Sequence, residues 1–308
     1  MEFTADRNRF QIDKMQQAMV NLCVCGYDGI GRRAGFRFLW SDPCGFDPHY
    51  PYQNPRQHIG DVLPFLSYDR KGERMTKLYQ KDPLFFALAC ICVYVCTFSA
   101  LESVSARLGA PYLFTVPTGV VLCLALGGWI RRQGLAKFLG LCRFRGTAGQ
   151  YLWFLPLMVP ASCNLWHGVQ WNFPPVDTFI YILSMLLAGF LEEVLFRGLL
   201  FTALRPRGLK RAALISSLTF GLGHIVNLLN GAALLPTLLQ LCYACAIGLL
   251  FTVLFQKSRS LLPGILTHSL LNALSAFSTE GGDFFQIISA AVLTLTALLY
   301  TLWLVKKT

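Results

Sequence analysis

The larger part of this chain has little charge. Asp, Glu, Lys and Arg make up 14% of its 308 residues, whereas soluble domains carry about 25%. The deficit begins after residue 80: residues 1–80 hold 11 basic and 9 acidic residues, and residues 81–308 hold 16 and 7. With 54% hydrophobic residues in the chain, this composition excludes disorder and an ordinary soluble enzyme for residues 81–308. It is typical of a polytopic membrane protein.

Apolar segments of membrane-spanning character follow one another from residue 81 onward. A bilayer core needs about 20 helical residues, and we predict eight spans: 84–101, 111–130, 151–166, 178–201, 212–229, 233–254, 261–277 and 284–305. The third, fifth and seventh are short, which leaves a partly re-entrant path open for them. The expected fold is therefore all-α, with about eight transmembrane helices and a catalytic helical core.

The basic residues of residues 81–308 alternate between loops. Fourteen of the 16 fall in every second loop or at the termini, and the loops between hold only Arg107. The positive-inside rule then predicts that both termini are cytoplasmic, with the cell (plasma) membrane as the expected location. The net charge of +11 follows from this topology, so we expect membrane lipid and no nucleic acid as a partner.

The first 80 residues are predicted to form a polar extension, separate from the transmembrane domain 81–308. They show no helical period longer than two turns, and no signal peptide begins at Met1. From Met75 the chain runs as a short basic lead followed by an apolar span. One hypothesis is that translation starts at Met75; the alternative is a small cytoplasmic extension.

Ionisable side chains inside the predicted spans are few, and they cluster within residues 178–277. They are Glu192, Glu193, Arg197, His224 and His268, with Asn272 as a polar companion. Such residues are unfavourable in a membrane and usually serve a function. The spacing i,i+4 puts Glu193 with Arg197, and His268 with Asn272, on shared helix faces. Glu192 lies about 100° around the helix, free to face a cavity.

Counting residues from the nearest loop arginine gives a depth for each polar group. Glu192, His224 and Asn272 each lie 13 residues away, or about 20 Å at 1.5 Å per residue, and His268 lies at about 14 Å. Polar groups at one level on three helices predict a shared mid-membrane site that opens toward the cytoplasm.

Three short motifs carry these residues: EExxxR over Glu192–Arg197, FxxxH over Phe220–His224, and HxxxN over His268–Asn272. In this order, each on its own span, they resemble the CPBP intramembrane proteases. That family contains the CAAX prenyl endopeptidases of the Ras-converting type, bacterial Abi proteins and bacteriocin-immunity proteins. The resemblance covers residues 178–277 and implies a membrane endopeptidase.

Peptide-bond hydrolysis requires an activated water, a stabilised oxyanion and a proton for the leaving amine. We expect Glu192 to act as the general base and His224 to orient and polarise the same water. His268 and Asn272 would donate hydrogen bonds to the oxyanion. The resemblance implies the same distribution of roles.

Further residues of the motifs are expected to support the catalytic ones. Glu193 and Arg197 would form an ion pair that fixes the fourth span, and Phe220 would pack beneath the water. Gly221 and Gly223 would let their helix approach its neighbours closely.

Three other protease chemistries can be compared with the residues present in the spans. Glu192, His224 and His268 could bind zinc as a His2Glu site, but the HExxH motif is absent. The resemblance implies a glutamate-activated water without metal, so we predict no cofactor. No aspartate lies within a span and no GxSxG is present, which excludes an aspartyl dyad and a serine nucleophile of that type.

Two functions other than proteolysis remain open from the sequence. A buried Glu, His and Arg also serve proton-coupled transporters, although no second EExxxR-like segment suggests an inverted repeat. A non-catalytic immunity or scaffold protein would keep the motif for structure. For the protease, the expected partner is a peptide or protein substrate, with a prenylated C-terminus as one option.

Overall fold

A computed structural model of the chain describes residues 70–110, 112–279 and 281–307. Within these ranges the regular structure is helical, apart from an isolated bridge between Val169 and Ser278. The predicted all-α fold is therefore confirmed. Residues 1–69 of the predicted extension lie outside the described residues, so the separate extension stays a prediction.

Eight longer helices carry the labels used below. They are α1 (Arg70–Lys81), α2 (Pro83–Arg107), α3 (Thr115–Arg132), α4 (Pro175–Glu192), α5 (Leu209–Gly223), α6 (Leu234–Ser258), α7 (Leu262–Leu274) and α8 (Asp283–Lys306). Short helical segments are Ala148–Tyr151, Leu152–Leu157, Met158–Ala161, Cys163–Leu165, Val226–Leu229 and Ser275–Phe277. After Glu192, α4 continues as a π-helix, Glu193–Phe201, and then as Thr202–Leu204 and Arg205–Arg207.

Four helical segments of the described residues are long and apolar enough to cross a membrane. They are Pro83–Arg107, Pro175–Arg207, Leu234–Ser258 and Asp283–Lys306, which coincide with the first, fourth, sixth and eighth predicted spans. A membrane protein is thus confirmed. The count of eight spans stays a prediction, because the helices in the other four segments are not both long and apolar enough to cross a membrane.

The third predicted span, 151–166, does not form one regular helix. It consists of short α and 3-10 segments, with Pro156 inside one and Pro160 inside the next. Each proline lacks the amide hydrogen that a continuous helix needs and clashes with the preceding turn. The two prolines are therefore the physical reason for the break.

Helix α1 corrects the expectation that residues 1–80 hold no helical period longer than two turns. It has 12 residues, and Met75, Leu78 and Tyr79 lie on one face that packs on the core. The Tyr79 ring contacts Phe86 and Trp129 edge to face, with centroids 5.5 and 5.3 Å apart. These contacts stabilise a helix whose sequence is otherwise strongly polar.

Only one of the two glycines expected to permit close packing does so. At Gly221 a Cβ would lie 2.9 Å from the Cys245 backbone nitrogen and 3.1 Å from the Leu241 carbonyl oxygen, so α5 and α6 touch there. At Gly223 a Cβ would have nothing within 4 Å. The expectation holds for Gly221 and is wrong for Gly223, which faces open space.

This difference gives a matched pair of variants. Gly221→Ala is expected to destabilise the protein by about 1–3 kcal/mol, because backbone atoms on α6 must move away from the new methyl group. Gly223→Ala is expected to change stability by less than about 1 kcal/mol. Thermal unfolding of the two purified variants in the same detergent measures the difference. Equal midpoints would contradict the close contact of α5 and α6.

Candidate active site

The close crossing of α4 and α7 brings the two glutamates to His268. A Cβ at Gly189 would lie only 2.9 Å from both the Cα and the nitrogen of Ser269. Gly189 precedes Glu193 by about one turn, and Ser269 follows His268 directly. Backbone contact at this point therefore places Glu193 beside the imidazole, although 75 residues separate them.

Glu193 lies between Arg197 and His268. The Arg197 Nη1 atom donates to Glu193 Oε1 at 2.8 Å, and His268 Nδ1 lies 2.9 Å from the same oxygen. The side chains of Glu193 and Arg197 are 1% and 0% exposed. Because a carboxylate beside a guanidinium only accepts hydrogen bonds, His268 Nδ1 carries the hydrogen of this contact. The ion pair therefore fixes both the ring orientation and its tautomer.

Glu192 uses its two carboxylate oxygens differently. Its Oε1 atom accepts a hydrogen bond from the Tyr94 hydroxyl of α2 at 2.7 Å. Its Oε2 atom is buried, forms no hydrogen bond within the described residues, and lies 3.4 Å from His268 Nε2. The Glu192 side chain as a whole is 15% exposed. One oxygen is thus held by protein and the other faces the imidazole.

Phe220 is the common neighbour of the charged and imidazole groups. Its ring meets those of His224 and His268 edge to face, with centroids 5.2 and 5.6 Å apart. The Arg197 Cζ atom lies over the Phe220 ring, 4.1 Å from its centroid. Phe220 therefore stacks on the guanidinium and contacts both histidines. This position is compatible with the supporting role expected for Phe220.

Two of the predicted catalytic side chains are less tightly connected. His224 directly follows the last residue of α5 and contacts the cluster through Phe220. Asn272 lies on α7, one turn beyond His268. In the part of the chain that the structure describes, neither the His224 ring nor the Asn272 side-chain amide forms a hydrogen bond.

The residue-counting estimate of depth for His268 stays a prediction. It placed His268 closer to the cytoplasmic end than Glu192, whereas the structure places their side chains 3.4 Å apart. Side chains of neighbouring helices can meet across such a difference in height, so this contact does not test the estimate.

The absence of zinc stays a prediction. No three His, Cys, Asp or Glu side chains among residues 70–110, 112–279 and 281–307 stand together in a metal-binding geometry. His268, one of the three ligands considered, has Nδ1 on Glu193 and Nε2 toward Glu192. A metal-ligating imidazole usually donates its other nitrogen to a carboxylate, so the contact with Glu193 suits either a metal or a water at Nε2, and the mechanism proposed below uses water.

Sequence reasoning missed Tyr94 and the π-helix. A buried tyrosine hydroxyl needs a hydrogen-bond partner, and that need was the one available signal for Tyr94. The π-helix has no evident sequence signal. One of its carbonyls, that of Phe196, accepts a 2.7 Å hydrogen bond from the Ser216 hydroxyl of α5.

Comparison with known proteins agrees with the site. Residues 174–274 match the family model described as type II CAAX prenyl endopeptidase Rce1-like. The matched residues run from the start of α4 to the end of α7 and contain all three motifs. No curated protein and no solved structure matches the chain. The predicted resemblance to the CAAX proteases is thereby confirmed for residues 174–274.

Proposed function

We propose that this protein is an intramembrane endopeptidase in which Glu192 activates water for hydrolysis of a peptide bond. The family match supports a protease. The observation that carries the glutamate mechanism is the buried Oε2 atom of Glu192, which forms no hydrogen bond within the described residues and lies 3.4 Å from His268 Nε2.

We place the reacting water against these two atoms, and because Oε2 is buried, a small side-chain movement has to open room for it. An oxygen placed about 2.8 Å from each has ordinary hydrogen-bond distances to both. Since Nδ1 of His268 carries the hydrogen toward Glu193, we assign the lone pair to Nε2. The water then donates one hydrogen to Glu192 and one to His268, and its own lone pairs stay free to attack.

Hydrolysis proceeds through a tetrahedral intermediate. As the water oxygen bonds to the carbonyl carbon, Glu192 Oε2 takes its proton and the carbonyl electron pair moves onto oxygen. When the C–N bond breaks, its electron pair leaves with the amine nitrogen, which takes the proton from Glu192. Water and one peptide become a carboxyl terminus and an amine.

The oxyanion needs donors that are not otherwise engaged. His224 and Asn272 have side chains without hydrogen bonds in the described part of the chain, so we assign this role to them. His268 is better suited to holding the water with Glu192, because Nδ1 already donates to Glu193. This exchanges the roles expected for the two histidines from the sequence.

The substrate class follows from the family description. It names prenyl endopeptidases, and we therefore propose a protein with a prenylated CAAX C-terminus as the first substrate to test. An unprenylated peptide, as in bacteriocin processing or self-immunity, is the alternative. The absence of a cofactor, the cell membrane as location and cytoplasmic termini belong to the same proposal.

Cleavage of a quenched farnesylated CAAX peptide by the purified protein tests this function. We expect a product shortened by three residues, identified by mass spectrometry, at a rate unchanged by a strong chelator. The same peptide without its farnesyl group is the control for the prenyl requirement. Loss of activity in chelator would contradict the metal-free mechanism, and absence of cleavage of both peptides would contradict the proposed substrates.

A further inference from the structure

We propose that Tyr94 is a positioning residue of the site: its hydroxyl holds one oxygen of Glu192 so that the other faces the reacting water. Tyr94 lies in none of the three motifs and outside the matched residues 174–274. The inference rests on the function proposed above and adds α2 to the site.

The contact between the two side chains is short and buried. Tyr94 is a buried residue of α2, and its hydroxyl donates to Glu192 Oε1 at 2.7 Å. Hydrogen bonds from a hydroxyl to an ionised carboxylate are among the strong ones in proteins. Within the described residues, the bond from Tyr94 is the only hydrogen bond to the Glu192 carboxylate, because Oε2 receives none.

Holding one oxygen defines the direction of the other. A glutamate side chain has several rotatable bonds, and a carboxylate that is not held samples many orientations. With Oε1 bound to Tyr94, Oε2 is directed toward His268 Nε2. Catalytic geometry must be kept to within about 0.5 Å, so the hydroxyl supplies orientation that the backbone of α4 alone does not.

Tyr94 is itself fixed by its neighbours. Its ring packs on Phe98 with centroids 4.6 Å apart, and a Cβ at Gly119 of α3 would lie 3.2 Å from the Phe98 ring. Further along α2, the hydroxyls of Ser99 and Ser103 both donate to Asn230 Oδ1 at 3.0 Å. Helix α2 is thereby attached to α3 and to the segment that follows His224.

Tyr94→Phe tests the role by removing the hydroxyl and keeping the ring. In the peptide-cleavage assay we expect kcat to fall about 10- to 100-fold, which corresponds to the loss of one hydrogen bond to a charged group. KM should stay within about twofold, because the hydroxyl touches Glu192 and no substrate. A purely structural role would not separate kcat from KM in this way.

Tyr181→Phe is the matched control. The Tyr181 hydroxyl also forms a partly buried hydrogen bond, 2.6 Å from Ser275 Oγ. This hydroxyl does not contact Glu192. We expect this variant to keep the wild-type kcat. A Tyr94→Phe enzyme that equals the control, measured beside an inactive Glu192→Gln enzyme, would overturn the inference and leave the proposed function standing. Activity in Glu192→Gln would instead overturn the proposed function.

A second readout does not need catalysis. Thermal unfolding of Tyr94→Phe, Glu192→Ala and the double variant forms a double-mutant cycle. Since each single change weakens the same contact, we expect the shift of the double variant to be smaller than the sum of the single shifts. Additive shifts would overturn the contact on which the inference rests.

Discussion

Glu192→Gln is expected to reduce kcat for peptide cleavage by about 10²- to 10⁴-fold, the range that a general base contributes. Glutamine keeps the size of the side chain, and its carbonyl oxygen still accepts the hydrogen bond from Tyr94. It cannot take a proton from the water between Oε2 and His268. Activity is therefore lost while the packing of α4 is kept, and the unfolding midpoint should change little.

The measurement is initial-rate kinetics with the quenched peptide, paired with thermal unfolding in the same detergent. Glu102→Gln is the matched control, because Glu102 is an exposed carboxylate on α2, and it should retain wild-type activity. If Glu192→Gln kept full turnover, Glu192 would not be the base. Transport or a non-catalytic immunity role would then deserve direct assay.

Arg197→Ala is expected to destabilise the protein by about 3–5 kcal/mol, because it leaves Glu193 as an uncompensated buried charge. The guanidinium is fully buried, pairs with Glu193 at 2.8 Å and lies over the Phe220 ring. Its removal also leaves a cavity beside Phe220 and releases the ring orientation of His268. Activity should fall together with the unfolding midpoint.

A double variant separates the charge from the cavity. Adding Glu193→Gln to Arg197→Ala removes the unpaired carboxylate, so the double variant should be more stable than Arg197→Ala alone. Arg207→Ala, an exposed arginine at the end of the same helical segment, should change stability by less than about 0.5 kcal/mol. Thermal unfolding of the wild type, Arg197→Ala, the double variant and Arg207→Ala checks both statements. A double variant less stable than Arg197→Ala would refute the charge argument.

Contacts within one helix could be predicted from the sequence, and contacts between helices could not. The i,i+4 spacing of Glu193 and Arg197 sets their distance, and the pair is present at 2.8 Å. The contact of Glu193 with His268 depends on how α4 crosses α7, which follows from the close approach at Gly189 and Ser269. Apolar periodicity holds no information about that crossing.

The ends of the helices also could not be predicted from the sequence. Segment 212–229 was predicted as one span, but α5 ends at Gly223, and α7 covers only part of segment 261–277. Hydropathy does not distinguish an apolar helix from an apolar turn, because both avoid water. Tyr94 was missed for a related reason. A hydropathy pattern treats a tyrosine within an apolar run as a hydrophobic residue and ignores the hydrogen bond that its hydroxyl needs.

The shortness of α5 and α7 has a consequence for the lipid around the site. Their 15 and 13 residues rise about 22 and 20 Å, whereas the hydrocarbon layer of a bilayer is about 30 Å thick. Lipid next to helices this short has to thin, or headgroups and polar chain have to sink toward them. Both distortions shorten the route by which water, the second reactant of any hydrolysis, reaches His224 and His268. We therefore expect these two short helices to bring water close to the site without a pore.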